Sequence, residues 1–129
     1  MIENTETRPA ISIDLRKYRI RIHRKTLHSI GDPDYVLLLV NPEERTLAIL
    51  GSSRSDPRAH RINKDLLTDK KSFELYSRSL VENLRDVCSD WQENQSYRMY
   101  GEIILNEGIA RFQMSDAVQS KGAEYGRRG

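Results

Sequence analysis

Basic and apolar residues alternate in residues 17–25 of the chain. The apolar set is Tyr18, Ile20 and Ile22, and the other set is Arg19, Arg21 and His23. Because a β-strand sends successive side chains to opposite faces, this segment predicts a strand that faces the core on one side and carries cations on the other. Residues 11–15 alternate as well, and Arg16-Lys17 interrupt the run, which predicts either two short strands or one bent strand.

Two hairpins and a short helix are predicted after this strand. Residues 24–30 form the helix, because Gly31 and Pro33 follow as helix-ending residues. The continuous apolar run 35–40 predicts a central strand covered on both faces, which pairs with 46–50 across a turn. Residues 59–63 add a short edge strand. The second hairpin joins 97–105 to 109–114, and Gly101 within it indicates a bulge or close packing.

The strongest helical periodicity lies in residues 72–91. Apolar residues recur there at spacings of three or four, as expected for a helix with one buried face. They are Phe73, Tyr76, Leu80, Leu84, Val87, Cys88 and Trp91. Ser72 is the predicted N-cap, and Glu74 falls in the first turn.

These elements predict an α+β fold. A mostly antiparallel sheet, built from the two hairpins and the N-terminal strand, packs against one long and one short helix. The 129 residues fit one domain. We expect a flexible arm over 1–10, a single α+β domain over 11–118 and a flexible tail over 119–129.

Composition narrows the class of protein. Charged residues make up 31% of the chain and hydrophobic residues 37%, which is typical of a globular domain. No apolar run approaches the roughly 20 residues of a membrane helix, so we expect no membrane association. The N-terminus does not resemble a secretory signal, and Cys88 is the only cysteine. A cytoplasmic protein is the simplest interpretation, with Cys88 as a small core residue.

The net charge of +2 hides two basic clusters. The candidate nucleic-acid-binding residues are Lys17, Arg19, Arg21, Arg24, Lys25, Arg54, Arg58 and Arg61. The first cluster contains no acid from Arg16 to Ser29, and segregated charge creates a local field that favours a polyanion. The alternative is that Arg19 and Arg21 protect a sheet edge from association with other strands.

Catalytic and metal-binding patterns are weak in this sequence. The chain has no glycine-rich phosphate loop and no glycine-flanked nucleophilic serine, and His23 and His28 are poorly spaced for a shared metal. We therefore expect no catalytic residues, no metal and no cofactor. An enzyme built from dispersed residues is a minor alternative.

Residues 19–31 read Arg-Ile-Arg-Ile-His-Arg-Lys-Thr-Leu-His-Ser-Ile-Gly, and an apolar hairpin follows them. Over residues 19–50 the chain resembles the DNA-binding module of AbrB/MazE-like regulators and antitoxins. The family's basic strand start falls on Arg19, its commonly basic position on Arg24 and its Leu-Gly helix end on Ile30-Gly31. The resemblance implies an interleaved dimer that contacts DNA through Arg19, Arg21 and Arg24. His23 stands where the family usually has proline, and Tyr18 where it has glycine.

Two functions remain open at this stage. The first is a small, non-enzymatic DNA-binding regulator, expected to form a homodimer, that contacts the phosphates of double-stranded DNA through its basic strand and loop. The second is a protein-interaction module such as an adaptor, an assembly subunit or an inhibitor of a nucleic-acid enzyme, whose exposed strands recruit a protein partner.

Overall fold

Nine antiparallel strands dominate the structure, a computed structural model that describes residues 8–67 and 71–120. The strands are β1 (Ala10–Asp14), β2 (Arg19–His23), β3 (Tyr35–Asn41), β4 (Thr46–Gly51), β5 (His60–Arg61), β6 (Ser72–Tyr76), β7 (Ser96–Ile104), β8 (Ile109–Gln113) and β9 (Val118–Ser120). The helices are α1 (Arg24–Ser29), α2 (Lys64–Leu67) and α3 (Arg78–Val87), and single 3-10 turns span Leu105–Glu107 and Met114–Asp116.

The strands form one curled sheet that resembles half a barrel. Their order is β5-β3-β4-β8-β7-β1-β2-β6, and β9 pairs with β7. The long strand β7 joins the two halves, because Ser96–Tyr100 pair with β1 whereas Gly101–Ile104 pair with β8. Gly101 permits this junction: a Cβ atom there would lie 2.2 Å from the carbonyl oxygen of Arg111 and 2.7 Å from Phe112 Cδ2. The close packing predicted at Gly101 is therefore confirmed.

Side chains divide between two faces of this sheet. The core face carries the fully buried residues Ile13, Ile20, Ile22, Met99 and Phe112, and α3 adds Val81 and Leu84 to the same core. Cys88 also lies in this core, as predicted. The opposite face, here called the outer face, carries the alternate residues of each strand. The alternation that predicted an apolar side and a cationic side for β2 is confirmed.

The predicted long helix over 72–91 is wrong. Ser72–Tyr76 form β6, which pairs with β2 over five residues, and the helix begins only at Arg78. Phe73 contributes to the core from the strand, whereas Tyr76 is 61% exposed. Spacings of three and four residues occur by coincidence at the strand–helix junction. Pairing with β2 supplies backbone hydrogen bonds that no local pattern reveals.

The predicted packing of a sheet against one long and one short helix is also wrong, because residues 8–67 and 71–120 form mostly antiparallel sheet with one helix of ten residues. Several elements are confirmed: the short helix α1, both hairpins and the edge strand at β5. The chain makes two short strands around residues 15–18, rather than one bent strand. The backbone amides of Arg16 and Lys17 each donate a hydrogen bond to Asp14 Oδ1 at 3.0 Å, and these two bonds fix the turn between β1 and β2.

The continuous apolar run 35–40 forms β3, which is paired on both sides, by β4 and β5. Leu39 on its outer face is 40% exposed, so β3 is not fully covered. Residues 1–7 of the predicted arm and 121–129 of the predicted tail lie outside the described residues, whereas Gln119 and Ser120 belong to β9. No helix among the described residues is long and apolar enough to cross a membrane.

Candidate functional site

The outer face of β6, β2, β1 and β7 is crossed by rows of polar residues in register. One row contains Tyr76, Arg19, Asp14 and Ser96, and the next contains Glu74, Arg21, Ser12 and Arg98. Beyond them Ser72 lies opposite His23, and Ala10 lies opposite Tyr100. Strand pairing therefore brings Arg98, which is remote in sequence, onto the same surface as the basic strand β2.

Neighbouring strands partly neutralise the basic strand. Arg19 contacts Asp14 Oδ2 at 3.2 Å and Glu74 Oε2 at 3.9 Å, and Arg21 Nε donates to Glu74 Oε2 at 3.0 Å. Burial tends to raise the pKa of Glu74, but its contacts with Arg21 and Arg19 outweigh burial and hold that pKa below its ordinary value. The absence of acids along the local sequence therefore does not leave Arg19 and Arg21 unpaired.

The position of β2 in the sheet also bears on the edge-protection alternative. β2 lies between β1 and β6 and pairs with both strands. Because it is not an edge strand, protection of a sheet edge does not account for Arg19 and Arg21.

A depression of about 490 Å³ lies where the outer face meets α1, and we call it the basic pocket. It is lined by Arg8, Ala10, His23, Arg24, Lys25, Lys71, Arg98 and Tyr100. The first turn of α1 is held beside Lys71, because the Arg24 amide donates to the Lys71 carbonyl at 2.7 Å. Five of the eight lining residues are Lys or Arg, and no carboxylate lines the pocket among the described residues. This arrangement is suited to an anion.

Two of these guanidinium groups are held in place around Tyr100. The Arg98 guanidinium lies 5.4 Å from the centre of the Tyr100 ring, and that of Arg8 lies 5.9 Å from it. Arg8 also donates from Nε to the Gly101 carbonyl at 3.3 Å. Cation–π contacts of this kind stabilise a guanidinium over a ring while leaving its edge available for hydrogen bonds.

A second depression, of about 420 Å³, adjoins the basic pocket along the outer face. It is lined by Ser12, Asp14, Arg16, Lys17, Arg19, Arg21, Asn94, Ser96, Arg98 and Ser120. The two depressions share Arg98, and together we call them the cationic groove. Nine Lys and Arg residues line this groove, and Asp14 is the one carboxylate among the described lining residues. The chain's small net charge conceals this concentration of positive charge.

The positive charges of the basic pocket affect the pKa of His23. Burial lowers the pKa of His23 below 6.5, and the charges of Arg98, Lys25, Lys71 and Arg24 lower it further. His23 Nδ1 accepts a hydrogen bond from the Lys25 amide at 3.1 Å, which places the proton of the neutral ring on Nε2.

The structure separates the predicted site residues into groups. Arg24 and Lys25 line the basic pocket, and Lys17, Arg19 and Arg21 line the second depression. The other predicted cluster lies near β5, at the opposite end of the strand order from β6. There Arg54 and Arg61 line a depression with Asp34 and Asp65, and Arg58 pairs with Asp56 at 3.4 Å. This second cluster is not brought together with the first.

Sequence analysis missed Arg8, Lys71, Arg98 and Tyr100 as members of one site. The sequence pattern could have placed Arg98 and Tyr100 on the outer face, because both alternate with the apolar Tyr97 and Met99 along the predicted strand. No local signal identifies Arg8 or Lys71, because each reaches the pocket from a segment that precedes a strand. Among the described residues, no three His, Cys, Asp or Glu side chains are grouped as metal ligands.

No family model matches this sequence, and no curated protein or solved structure is significantly similar to it. The resemblance of residues 19–50 to the AbrB/MazE-like module therefore stays a prediction.

Proposed function

We propose that this protein is a small, non-enzymatic DNA-binding regulator that holds DNA phosphates along the cationic groove. The observation that carries the proposal is the meeting of two cation-lined depressions at Arg98. Lys and Arg residues that neutralise phosphates release condensed counterions, and this release supplies affinity that does not depend on base sequence. The groove replaces the basic strand alone as the proposed contact surface.

Phosphate contact accounts for the groove better than base stacking does. Proteins that grip single strands usually present several exposed aromatic rings along a basic channel. Tyr100 is the aromatic residue among the described lining residues of the groove, and its ring already carries the guanidinium groups of Arg8 and Arg98. We therefore expect duplex DNA to bind at least as tightly as a single strand of the same length.

The direct test removes three exposed cations from the groove. The variant K17Q/R24Q/K71Q should lose most of its affinity for duplex DNA in a fluorescence-anisotropy titration at low salt. The matched control R54Q/R58Q/R61Q removes three exposed cations from the separate cluster near β5 and should retain most of the affinity. Equal losses in both variants would mean that net charge, rather than the groove, causes binding.

Alanine substitution of Arg19, Arg21 and Arg24 is a less clean test than this pair of variants. Arg19 is the partner of Asp14, which is 9% exposed. Removing Arg19 leaves that carboxylate without its cation, and the resulting loss of stability would be confused with a loss of binding.

A second candidate function rests on the other half of the outer face. Leu39 is 40% exposed, and the half-buried Leu50 and Ile109 lie near it on β4 and β8, whereas Leu37, which pairs with Leu50, is buried. We propose a second copy of the chain as the partner at this surface. The neighbouring ion pair of Arg111 and Glu102 presents both charges, so each charge can meet its opposite on a twofold-related copy.

Light scattering across protein concentrations tests self-association. The wild-type protein should form a dimer, and L39E should shift it to the monomer, because the substitution places a charge in the apolar contact. The control K17Q lies in the cationic groove, on the other part of the outer face, and should leave the dimer unchanged. A monomeric wild type at all concentrations would remove this candidate.

A further inference from the structure

We infer that the basic pocket binds a phosphate monoester at the end of a DNA strand, and that it distinguishes this group from the phosphodiesters of the backbone. The inference rests on the proposed function, and it assigns the two depressions of the cationic groove different ligands. The second depression follows the backbone, whereas the basic pocket receives a strand end.

Charge is the first argument. A backbone phosphodiester carries one negative charge, whereas a phosphate monoester carries about −1.5 to −2 at pH 7 and has three strong acceptor oxygens. Five Lys and Arg residues converge on the basic pocket, and its described lining contains no carboxylate. In the second depression, by contrast, Asp14 is present and pairs with Arg19. The more highly charged phosphate therefore gains most in the basic pocket.

Shape and preorganisation are the second argument. The two depressions are similar in volume, about 490 and 420 Å³, so the difference between them lies in how the walls of the basic pocket are arranged. Its walls come from β1, β7, the start of α1 and the segments before β1 and β6, so cations approach from several directions. Arg98 and Arg8 are fixed against Tyr100, so these donors lose little freedom when a phosphate binds.

A hydrogen-bond deficit at Arg98 points the same way. Its Nε is buried and has no hydrogen-bond partner among the described residues. Within the part of the chain that the structure describes, the Arg98 side chain contacts the Tyr100 ring and forms no ion pair with a carboxylate. Because its Nε is buried, Arg98 would make a bidentate contact with phosphate oxygens through its two terminal nitrogens, Nη1 and Nη2.

The experiment compares duplexes that differ only at their ends. Short duplexes with an internal fluorophore carry either hydroxyl ends, a terminal phosphate at the 5′ or the 3′ ends, or the methyl ester of that phosphate. Anisotropy titration at pH 7 should show about tenfold tighter binding of one phosphorylated duplex than of the hydroxyl duplex. The methyl ester, which restores a singly charged phosphodiester, should lose most of that preference.

Two variants assign the preference to the pocket. K71Q, and separately R98Q, should bind the phosphorylated and hydroxyl duplexes with nearly equal affinity. K17Q, whose substitution lies in the second depression, should weaken binding to both duplexes while keeping the preference. Lys71 is exposed, so K71Q tests the pocket even where R98Q disturbs folding, and circular dichroism melting checks both variants.

Equal binding of hydroxyl and phosphorylated duplexes at both kinds of end would overturn the inference and leave the proposed function standing. Equal binding of the monoester and its methyl ester would overturn it in the same way, because the pocket would then hold only one more phosphodiester. Failure of every duplex to bind at low salt would overturn the proposed function, and the inference with it.

Discussion

Single residues determine how this sheet tolerates so much positive charge on one face. Asp14 accepts the amides of Arg16 and Lys17 and the guanidinium of Arg19, so one carboxylate both forms a turn and offsets a cation. Glu74 offsets the charge of Arg21 from the adjacent strand. The cations that remain concentrated are those of the basic pocket, where the described lining contains no carboxylate.

Gly101 gives a prediction at the scale of one residue. G101A should lower the free energy of unfolding by about 3 kcal/mol, because the added methyl group would overlap the Arg111 carbonyl oxygen, and backbone cannot move aside without shifting β8. Urea denaturation measures the loss. The control G108A has open space around its Cβ but a φ of +63°, and should cost only about 1 kcal/mol. A larger loss for G108A would contradict the packing at the junction.

His23 gives a prediction of pH dependence. Its pKa in the folded protein lies below 6.5, the ordinary value that the unfolded chain retains. As pH falls through 6.5, His23 takes up a proton in the unfolded chain before it does so in the folded protein. The contribution of His23 to the free energy of unfolding therefore decreases until the pH reaches its folded pKa, and this contribution is constant at lower pH. H23Q should therefore flatten the decrease in stability on acidification from about pH 7 to 5.5, measured by denaturant titration.

His60 provides the control for that measurement. Burial also lowers the pKa of His60 below 6.5, so it contributes a slope of the same sign. H60Q should remove only its own share, and the slope due to His23 should persist in that variant. A slope in H23Q equal to that of the wild type would show that burial and the neighbouring cations do not lower the pKa of His23 in the folded protein.

At the scale of elements, the segment 72–91 divides between a strand and a helix. Its apolar spacing satisfies a helix, but Phe73 and Leu75 also satisfy a strand with a core face. Pairing with β2 favours the strand, because β2 would otherwise lose its hydrogen-bonded neighbour on that side. The true helix start is marked by Ser77, whose side chain accepts the Leu80 amide at 3.3 Å.

The helix boundary can be tested by removing one hydroxyl group at a time. S77A should reduce the free energy of unfolding by about 1 kcal/mol, because a capping hydrogen bond is lost. S72A should change it by less than about 0.5 kcal/mol, since Ser72 lies in β6 and caps no helix. Chemical denaturation of both variants provides the comparison. The reverse order of effects would support a helix that begins at Ser72.

At the scale of the whole molecule, the outer face has two distinct parts. The part on β6, β2, β1 and the first half of β7 is polar and cationic, whereas the part on β3, β4 and β8 combines aliphatic with polar side chains. β7 passes from one part to the other along its length. The two proposed functions therefore use separate surfaces, and a dimer formed through the aliphatic part would leave the cationic groove of each copy accessible.

Salt dependence is the prediction that belongs to this scale. Affinity for duplex DNA should fall linearly on a log–log plot against salt concentration, because each phosphate contact releases counterions. K17Q/R24Q/K71Q should reduce the magnitude of this slope by roughly one per cation removed, whereas R54Q/R58Q/R61Q should leave the slope unchanged. Anisotropy titrations at several salt concentrations provide both slopes. An unchanged slope in the groove variant would mean that its cations do not contact phosphates.

The parts that could be predicted are those with short-range causes. Alternation identified the core and outer faces of β2, and turn residues located both hairpins. Arg24 and Lys25 were correctly grouped as neighbours, since they follow β2 directly. Lys71 and Arg98 could not be added to them, because they lie far along the chain and reach the pocket only through the pairings β2–β6 and β1–β7.

The sequence by itself determined which side of β2 faces the core, because that choice follows from a period of two residues and the cost of burying charge. Only the tertiary structure decided which charges meet. Arg21 and Glu74 are 53 residues apart, and their contact depends on strand register, which a shift of one residue would abolish. The same register places Arg98 between the two depressions of the cationic groove, so the candidate site is a property of the assembled sheet.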